Sequence, residues 1–469
     1  MVRLPHPKSL WHHLTLASFS DADASPLWQQ AYLTRVGGLL SGWQRENWLL
    51  RRADAIATGL VVLLFGIAPF TSTTAIGLVL LGCGAFWGLL VLRDRPALTP
   101  IHLVVLVYWA VSTVATAFSP VRADALDGWL KLTLYIILFA LLAHLLRSPR
   151  TRNLTITAYL LTALVVAAAG LRQWFFGVDA LATWVDPDSS LAGTTRVYSY
   201  LGNPNLLAGY LIPAVLLSAA AVLNWRGLKK LLALTIALVT TACLVLTFSR
   251  GGWIGFVVGS FVFLGLLMQG LSRHLPSPWR RWALPGLLAA TATALTIAVA
   301  AIAPLRDRVG SIFSGRADSS NNFRINVWSA VVEMIKARPV LGIGPGNDAF
   351  NQVYPFYQEP GYTALSAYSV FLEIWVETGV IGLTCFLWLL LVTFGNGWRY
   401  LQRLWRKQEE SWLWLVAAMA AMVGMLAHGL VDTVWYRPQV SILWWLMLAL
   451  VASFDGAANS SRPSEATSS

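Results

Sequence analysis

Arg196, Arg250 and Arg324 are the residues of this sequence best suited to chemistry on an anion, because a guanidinium offers paired donors that match phosphate or carboxylate oxygens. Arg250 stands in Phe248-Ser249-Arg250-Gly251-Gly252-Trp253, between two apolar segments joined by almost no loop. An ionisable group at membrane depth is costly and ordinarily has a partner. The bland alternative is an arginine that snorkels to the interface. Arg196 precedes Gly202-Asn203-Pro204-Asn205, where a helix start would turn free N–H groups toward an anion. An ordinary capped helix start reads the same way. Arg324, taken alone, is a solvated charge. His428 and Asp432 are four residues apart, the spacing of neighbours on one helix face. A carboxylate can orient a histidine and raise its pKa toward general-base duty. Equally, a polar pair can join helices inside a membrane. Glu373 and Glu377 repeat that spacing and could simply balance the arginines.

Other chemistries lack their residues. No Walker-type phosphate loop occurs, which speaks against ATP hydrolysis. Gly342-Ile343-Gly344-Pro345-Gly346 follows a predicted helix, whereas a dinucleotide fingerprint needs a strand before it; a tight turn is its expected role. Cys83, Cys243 and Cys385 all lie in apolar stretches without metal-ligand spacing, so no metal, disulfide or redox role is expected, and no cofactor. The net charge of +12 is scattered through short loops rather than gathered in a nucleic-acid-binding domain.

The elements that must carry these residues are membrane helices. The chain of 469 residues is 57% hydrophobic and only 12% charged, with mean hydropathy +0.61. A soluble chain would carry about a quarter charged residues. Apolar runs of about 20 residues, the length that spans a bilayer as a helix, recur along it. Twelve are expected, at 53–70, 73–92, 99–118, 129–146, 154–176, 201–223, 231–248, 251–271, 282–303, 369–394, 412–434 and 438–454. The predicted class is therefore an all-α polytopic integral membrane protein of about 12 transmembrane helices with an ordered outer-face loop.

Residues 1–52 form a cytoplasmic N-terminal segment in this reading. Within it Ser25-Pro26 resembles a capped helix start. Trp28, Tyr32, Val36, Leu39, Leu40 and Trp43 follow near helical spacing, as in an interfacial amphipathic helix. No cleavable signal peptide is expected, since the first fifty residues lack its short apolar core. Residues 53–303 hold crossings one to nine, 304–368 the long outer loop, 369–455 the last three crossings, and 456–469 a small, polar and disordered cytoplasmic tail.

Basic residues such as Arg51, Arg52, Arg93, Arg147, Lys229, Lys230, Arg280 and Arg403 crowd one side. The positive-inside rule makes that side cytoplasmic, with both termini, in a cytoplasmic (inner) membrane. The opposite short loops hold few, among them Arg196, Arg250 and Arg437. In the outer loop Asn321-Asn322 can cap a helix. Its apolar stripe would be Phe323, Val327, Trp328, Val331, Val332 and Ile335, with Pro339 ending it.

The motifs in order resemble the O-antigen ligase and polymerase superfamily. They are Arg196 with Gly202-Asn203-Pro204-Asn205, then Ser249-Arg250-Gly251-Gly252, then Arg324 with Trp328. Pro339-Val340-Leu341-Gly342-Ile343-Gly344-Pro345-Gly346-Asn347 and Glu377-Thr378-Gly379 complete the set. The resemblance spans roughly 159–443, and within it the chain is most similar to the cyanobacterial IctB family, described as bicarbonate transporters and linked to inorganic carbon accumulation. The superfamily implies transfer of a glycan from a polyprenyl-diphosphate carrier to an acceptor hydroxyl outside the membrane. Arg250 and Arg324 would hold the diphosphate, with Arg196 as an accessory and Asn205, Glu373 and Glu377 in support. Ligases of this family place a histidine nine residues before the Glu of Glu-Thr-Gly; here that residue is Tyr368. A tyrosine with a pKa near 10 is a poor base at neutral pH, which leaves His428, with Asp432, as the substitute base on that face. Two classes stand: a glycan transferase acting on a lipid-diphosphate donor, and a protein handling bicarbonate or another anion. Membrane lipid is a partner in both, nucleic acid in neither.

Overall fold

The computed structural model describes residues 7–17, 19, 48–93, 98–177, 196–274, 276–301 and 303–455. The expected amphipathic helix over 25–43 and the tail 456–469 lie outside the described residues. No strand occurs among the described residues. The main helices are α1 (Pro7–Leu14), α2 (Ala53–Ile67), α3 (Thr73–Arg93), α4 (Pro100–Ala117), α5 (Arg122–Leu145), α6 (Pro149–Phe176), α7 (Pro204–Asn224) and α8 (Gly227–Leu246). They continue as α9 (Arg250–Leu271), α10 (Ser277–Ala301), α11 (Ala303–Gly310), α12 (Ser319–Ala337), α13 (Asn347–Val353), α14 (Val370–Lys407), α15 (Trp412–Gly429) and α16 (Pro438–Ala452).

Ten of these helices are long and apolar enough to cross a membrane: α2, extended to Phe70 by a 3-10 turn, α3 to α9, α14 and α15. The chain is a multi-pass membrane protein. Of the remaining expected crossings, the ninth coincides with α10 and the twelfth with α16, an apolar helix of only 15 residues.

Local chemistry sets the helix starts. Thr99, Asn203, Ser249 and Asp318 each accept a hydrogen bond from a first-turn backbone N–H. Pro100, Pro149, Pro204 and Pro438 sit in first turns, where the missing N–H has no intrahelical partner to lose. Asp318 takes the cap expected of Asn321-Asn322, so α12 begins before that pair and Asn321 supplies the N–H that Asp318 accepts.

The centre of the bundle is α7 and α15, whose apolar stretches are 83% and 78% buried against 22% for α3 and α9. Inside a membrane there is little hydrophobic gain in bringing two helices together, so close backbone contact through small residues decides the packing. Gly251, Gly255 and Gly259 supply it, one helical turn apart along α9. A Cβ at Gly255 would stand 2.5 Å from Gly424 O, and one at Gly259 3.1 Å from Ala420 O, both on α15.

The segment between α10 and α14 has its own core. Val327, Val331, Met334 and Ile335 of α12 pack with Ile343, Phe350 and Tyr354 and with Val376 of α14. The apolar face is rotated from the expected stripe: Ala330 and Met334 are inside, while Val332 is exposed. At the other end of α14, residues after α1 dock on the helix. Asn396 Nδ2 donates to Thr15 O at 3.0 Å and Arg399 to Ala17 O at 2.7 Å.

Candidate functional site

The junction between α8 and α9 organises the site. Phe248 has φ 50, a left-handed conformation that a bulky residue adopts only when its surroundings enforce it. The turn directs two consecutive carbonyls to two arginines. Arg196 Nε donates to Thr247 O at 3.1 Å, and Arg308 Nε donates to Phe248 O at 3.2 Å. Arg250 follows as the first residue of α9, buried, with its charge at the end where the helix dipole opposes a cation. The chain offsets that cost from α11 and α12. Arg250 Nη2 pairs with Asp318 Oδ1 at 2.8 Å, and Nη1 donates to Ser311 O and Ser311 Oγ, each at 3.1 Å.

A second polar line comes from α7 and the end of α15. Arg196 Nη2 donates to Asn205 Oδ1 at 3.3 Å, Asn205 Nδ2 donates to Asp432 Oδ2 at 2.7 Å, and Arg324 Nη2 stands 3.6 Å from the same oxygen. The Asn203 cap holds Asn205 in place through its backbone N–H. These lines meet around a cavity of about 430 Å³ lined by Arg196, Asn205, Arg250, Arg308, Arg324 and Tyr368.

Among the described residues, four guanidiniums thus face two carboxylates, Asp318 and Asp432, an excess of two positive charges. The crowding is visible in their proton affinities. Burial, then the charges of Arg324 and Arg250, push Arg196 down to about 10. Burial, then Arg250 and Arg196, push Arg308 down to about 9. Both remain cations at neutral pH, so the shifts reflect burial first and mutual repulsion second rather than lost charge. Burial would raise Asp318, but the hydrogen bonds from Arg250 and the Asn321 N–H, with the Arg250 charge, hold its carboxyl below the usual range. Burial and the nearby Asp432 raise Tyr368 further above its ordinary value, so its hydroxyl is protonated at neutral pH; its ring stands edge-on to Phe323.

The structure brings Arg196, Asn205, Arg250, Arg324, Tyr368 and Asp432 together and separates His428, Glu373 and Glu377 from them. His428 and Asp432 are not hydrogen-bonded. The helix α15 ends at Gly429, so Asp432 lies beyond it instead of one turn along the same face. His428 is fully buried, and neither ring nitrogen has a hydrogen-bond partner among the described residues. Its ring packs on the α9 seam, where a Cβ at Gly251 would meet it at 2.7 Å. Arg437 is exposed and stacks over Tyr436.

Glu377 serves the backbone. Its Oε1 accepts from Gly346 N at 2.7 Å, its carbonyl accepts from Gly344 N, and the carbonyl of Val376 accepts from Ile343 N, both at 2.9 Å. The glycine-rich segment and the Glu-Thr-Gly motif are therefore each other's partners. Glu373 lies on the same helix and faces Thr433.

Arg308, Asp318 and Ser311 were not anticipated. Arg306-Asp307-Arg308 reads as a solvated charge run, and Asp318 lies 68 residues from Arg250, beyond any local spacing rule.

Residues 234–387 match the family described as O-Antigen ligase. This stretch contains Arg250, Arg308, Asp318, Arg324, Tyr368 and the paired Gly-rich and Glu-Thr-Gly segments. No curated protein matches the chain.

Proposed function

We propose that the arginine cavity holds the diphosphate of a polyprenyl-diphosphate-linked glycan and that the protein transfers the glycan to an acceptor hydroxyl at the outer face of the cytoplasmic membrane. The observation that carries this reading is the convergence of four guanidiniums on one cavity, with two carboxylates paired to them among the described residues. In the reaction the acceptor oxygen bonds to the anomeric carbon. The bond from that carbon to the diphosphate oxygen breaks, and its electron pair leaves on the diphosphate. Negative charge grows on the leaving group, and fixed guanidiniums lower the barrier most where charge develops. The acceptor's proton goes to Asp432, the carboxylate held among the cavity residues by Asn205 and Arg324. Tyr368, protonated, acts as a hydrogen-bond donor. His428 packs α15 against α9 and takes no proton.

The alternative, a bicarbonate-handling protein of IctB type, would use the same positive cavity. It would also need a passage onward through the bundle. The contact of α9 with α15 is closed glycine to carbonyl at Gly255 and Gly259, and this weighs for a site served from one side.

An anion that relieves the repulsion among the arginines should stabilise the folded protein. A ligand at a hundred times its Kd adds about 2.7 kcal/mol. Inorganic pyrophosphate should therefore raise the melting temperature of the purified protein more than equal bicarbonate does. A shift with bicarbonate and none with pyrophosphate would reverse the choice between the two readings.

Sidedness has its own test. Cysteines placed at exposed Ser319, on the cavity rim, and at Ser411, between α14 and α15, should react with an impermeant reagent from outside and from inside respectively. Labelling of position 411 from outside with 319 protected would invert the topology and place the cavity in the cytoplasm.

A further inference from the structure

A second cavity, of about 180 Å³, is lined by Glu373, Glu377, Trp435, Trp444, Val370 and Thr433 among others. It adjoins the arginine cavity along two stretches of chain. Tyr368 and Val431 line the arginine cavity, Val370 and Thr433 line this one, and a single residue separates the members of each pair. Lys131, half exposed and paired with Asp348, marks its edge.

Two buried polar atoms on its lining residues lack partners among the described residues, and they are of opposite kind. Glu373 is 6% exposed. Its Oε2 accepts from Ala367 N at 2.5 Å and from the Thr433 hydroxyl at 3.4 Å, while Oε1 accepts from nothing. Trp435 Nε1, a donor, is likewise buried and unpartnered. Leaving such groups unsatisfied is unfavourable, more so for a charged one. A bound cation would satisfy the carboxylate and leave the indole N–H orphaned. A hydroxyl satisfies both, because one oxygen accepts from N–H while its own hydrogen goes to the carboxylate. The lining also includes the aromatic rings of Tyr108, Tyr135 and Phe386, with the Trp435 and Trp444 rings 4.1 Å apart. Aromatic faces with a few convergent polar groups suit a ligand that is apolar on its faces and polar at its edge, which describes a sugar ring.

We propose that this cavity binds a sugar ring of the acceptor, one hydroxyl accepting from Trp435 Nε1 and donating to Glu373 Oε1. That the sugar belongs to the acceptor rests on the transferase reading; that the cavity takes a sugar does not. The acceptor would then stand beside the cavity that holds the leaving diphosphate, as a direct transfer requires.

The test uses the purified full-length protein and saturation-transfer NMR with methyl glycosides of glucose, galactose, mannose and N-acetylglucosamine. At least one should give a signal. Glu373→Gln, which replaces a charged acceptor with a neutral one, should weaken it about tenfold. Trp435→Phe, which keeps a ring and removes the N–H, should weaken it as well. The proposal is overturned by silence from all four glycosides, by equal signals from wild type and both variants, or by a signal from tetramethylammonium in place of the sugars. The pyrophosphate melting shift, read on the same samples, separates the two claims. A shift without a sugar signal sinks the sugar cavity alone, and a sugar signal without a shift sinks the diphosphate site alone.

Discussion

Arg250→Lys should lower glycan transfer by about 10²–10³-fold, the scale of losing one preorganised donor to a developing charge, while the protein still accumulates in the membrane. Lysine keeps the positive charge. It cannot keep the planar fork, which in Arg250 spans Asp318 through one terminal nitrogen and Ser311 through the other. A single ammonium reaches one of these, so the N-terminus of α9 loses its simultaneous tie to α11 and α12, and phosphate oxygens lose paired hydrogen bonds. The readout is transfer from a labelled polyprenyl-diphosphate glycan by purified protein, with Arg403→Lys as a control because Arg403 is exposed near the end of α14 and lines neither cavity. Transfer by Arg250→Lys at the wild-type rate would remove this residue from the site.

Gly379→Ala should cost more than about 3 kcal/mol, since a side chain in a glycine-only backbone region alone costs of order 1–3 kcal/mol and overlap adds to it. Gly379 interrupts α14 with φ 66 and ψ −171, and its added Cβ would overlap the carbonyl of Val340. That close approach is what lets residues 339–346 run along the broken helix, with Val380 N donating to Pro339 O at 2.9 Å alongside the bonds made by Ile343 and Gly344. Since folded proteins keep only about 5–15 kcal/mol in hand, this change should sharply reduce the yield of folded protein in detergent and lower its melting temperature. Gly361→Ala is the comparison. Its φ is 87 but nothing lies within 4 Å of the added carbon, so it carries the strain without the overlap. Equal losses in the two variants would mean that contact with residues 339–346 contributes nothing.

These two positions mark the division between what is local and what is not. Membrane segments are legible because a run of about 20 apolar residues is a local property and the bilayer acts on each run separately. Helix starts at Asn203 and Ser249 are legible for the same reason, since a cap bonds to N–H groups two or three residues on. Arg196 and Arg250 could be selected from sequence because a cation beside an apolar run is conspicuous, whereas Arg324 was selected through the motifs it shares with the ligase superfamily.

Tertiary structure alone decided who faces them. Arg308 reaches the site only through the carbonyl that a left-handed Phe248 exposes, and Asp318 only because α12 returns over the start of α9. The spacing of His428 and Asp432 matched one helix face, but the helix stops at Gly429 and the imidazole turns into the glycine seam of α9. Glu373 and Glu377 share a helix and the spacing that suggested a common task. Glu377 is tied to the Gly346 N–H, and Glu373 keeps one oxygen without a partner among the described residues, in a cavity with Trp435 and Thr433, because the residues opposite them come from different parts of the chain. A sequence records which side chains carry charge and roughly where in the membrane they begin; their partners depend on how helices distant in sequence are packed, and no local spacing encodes that.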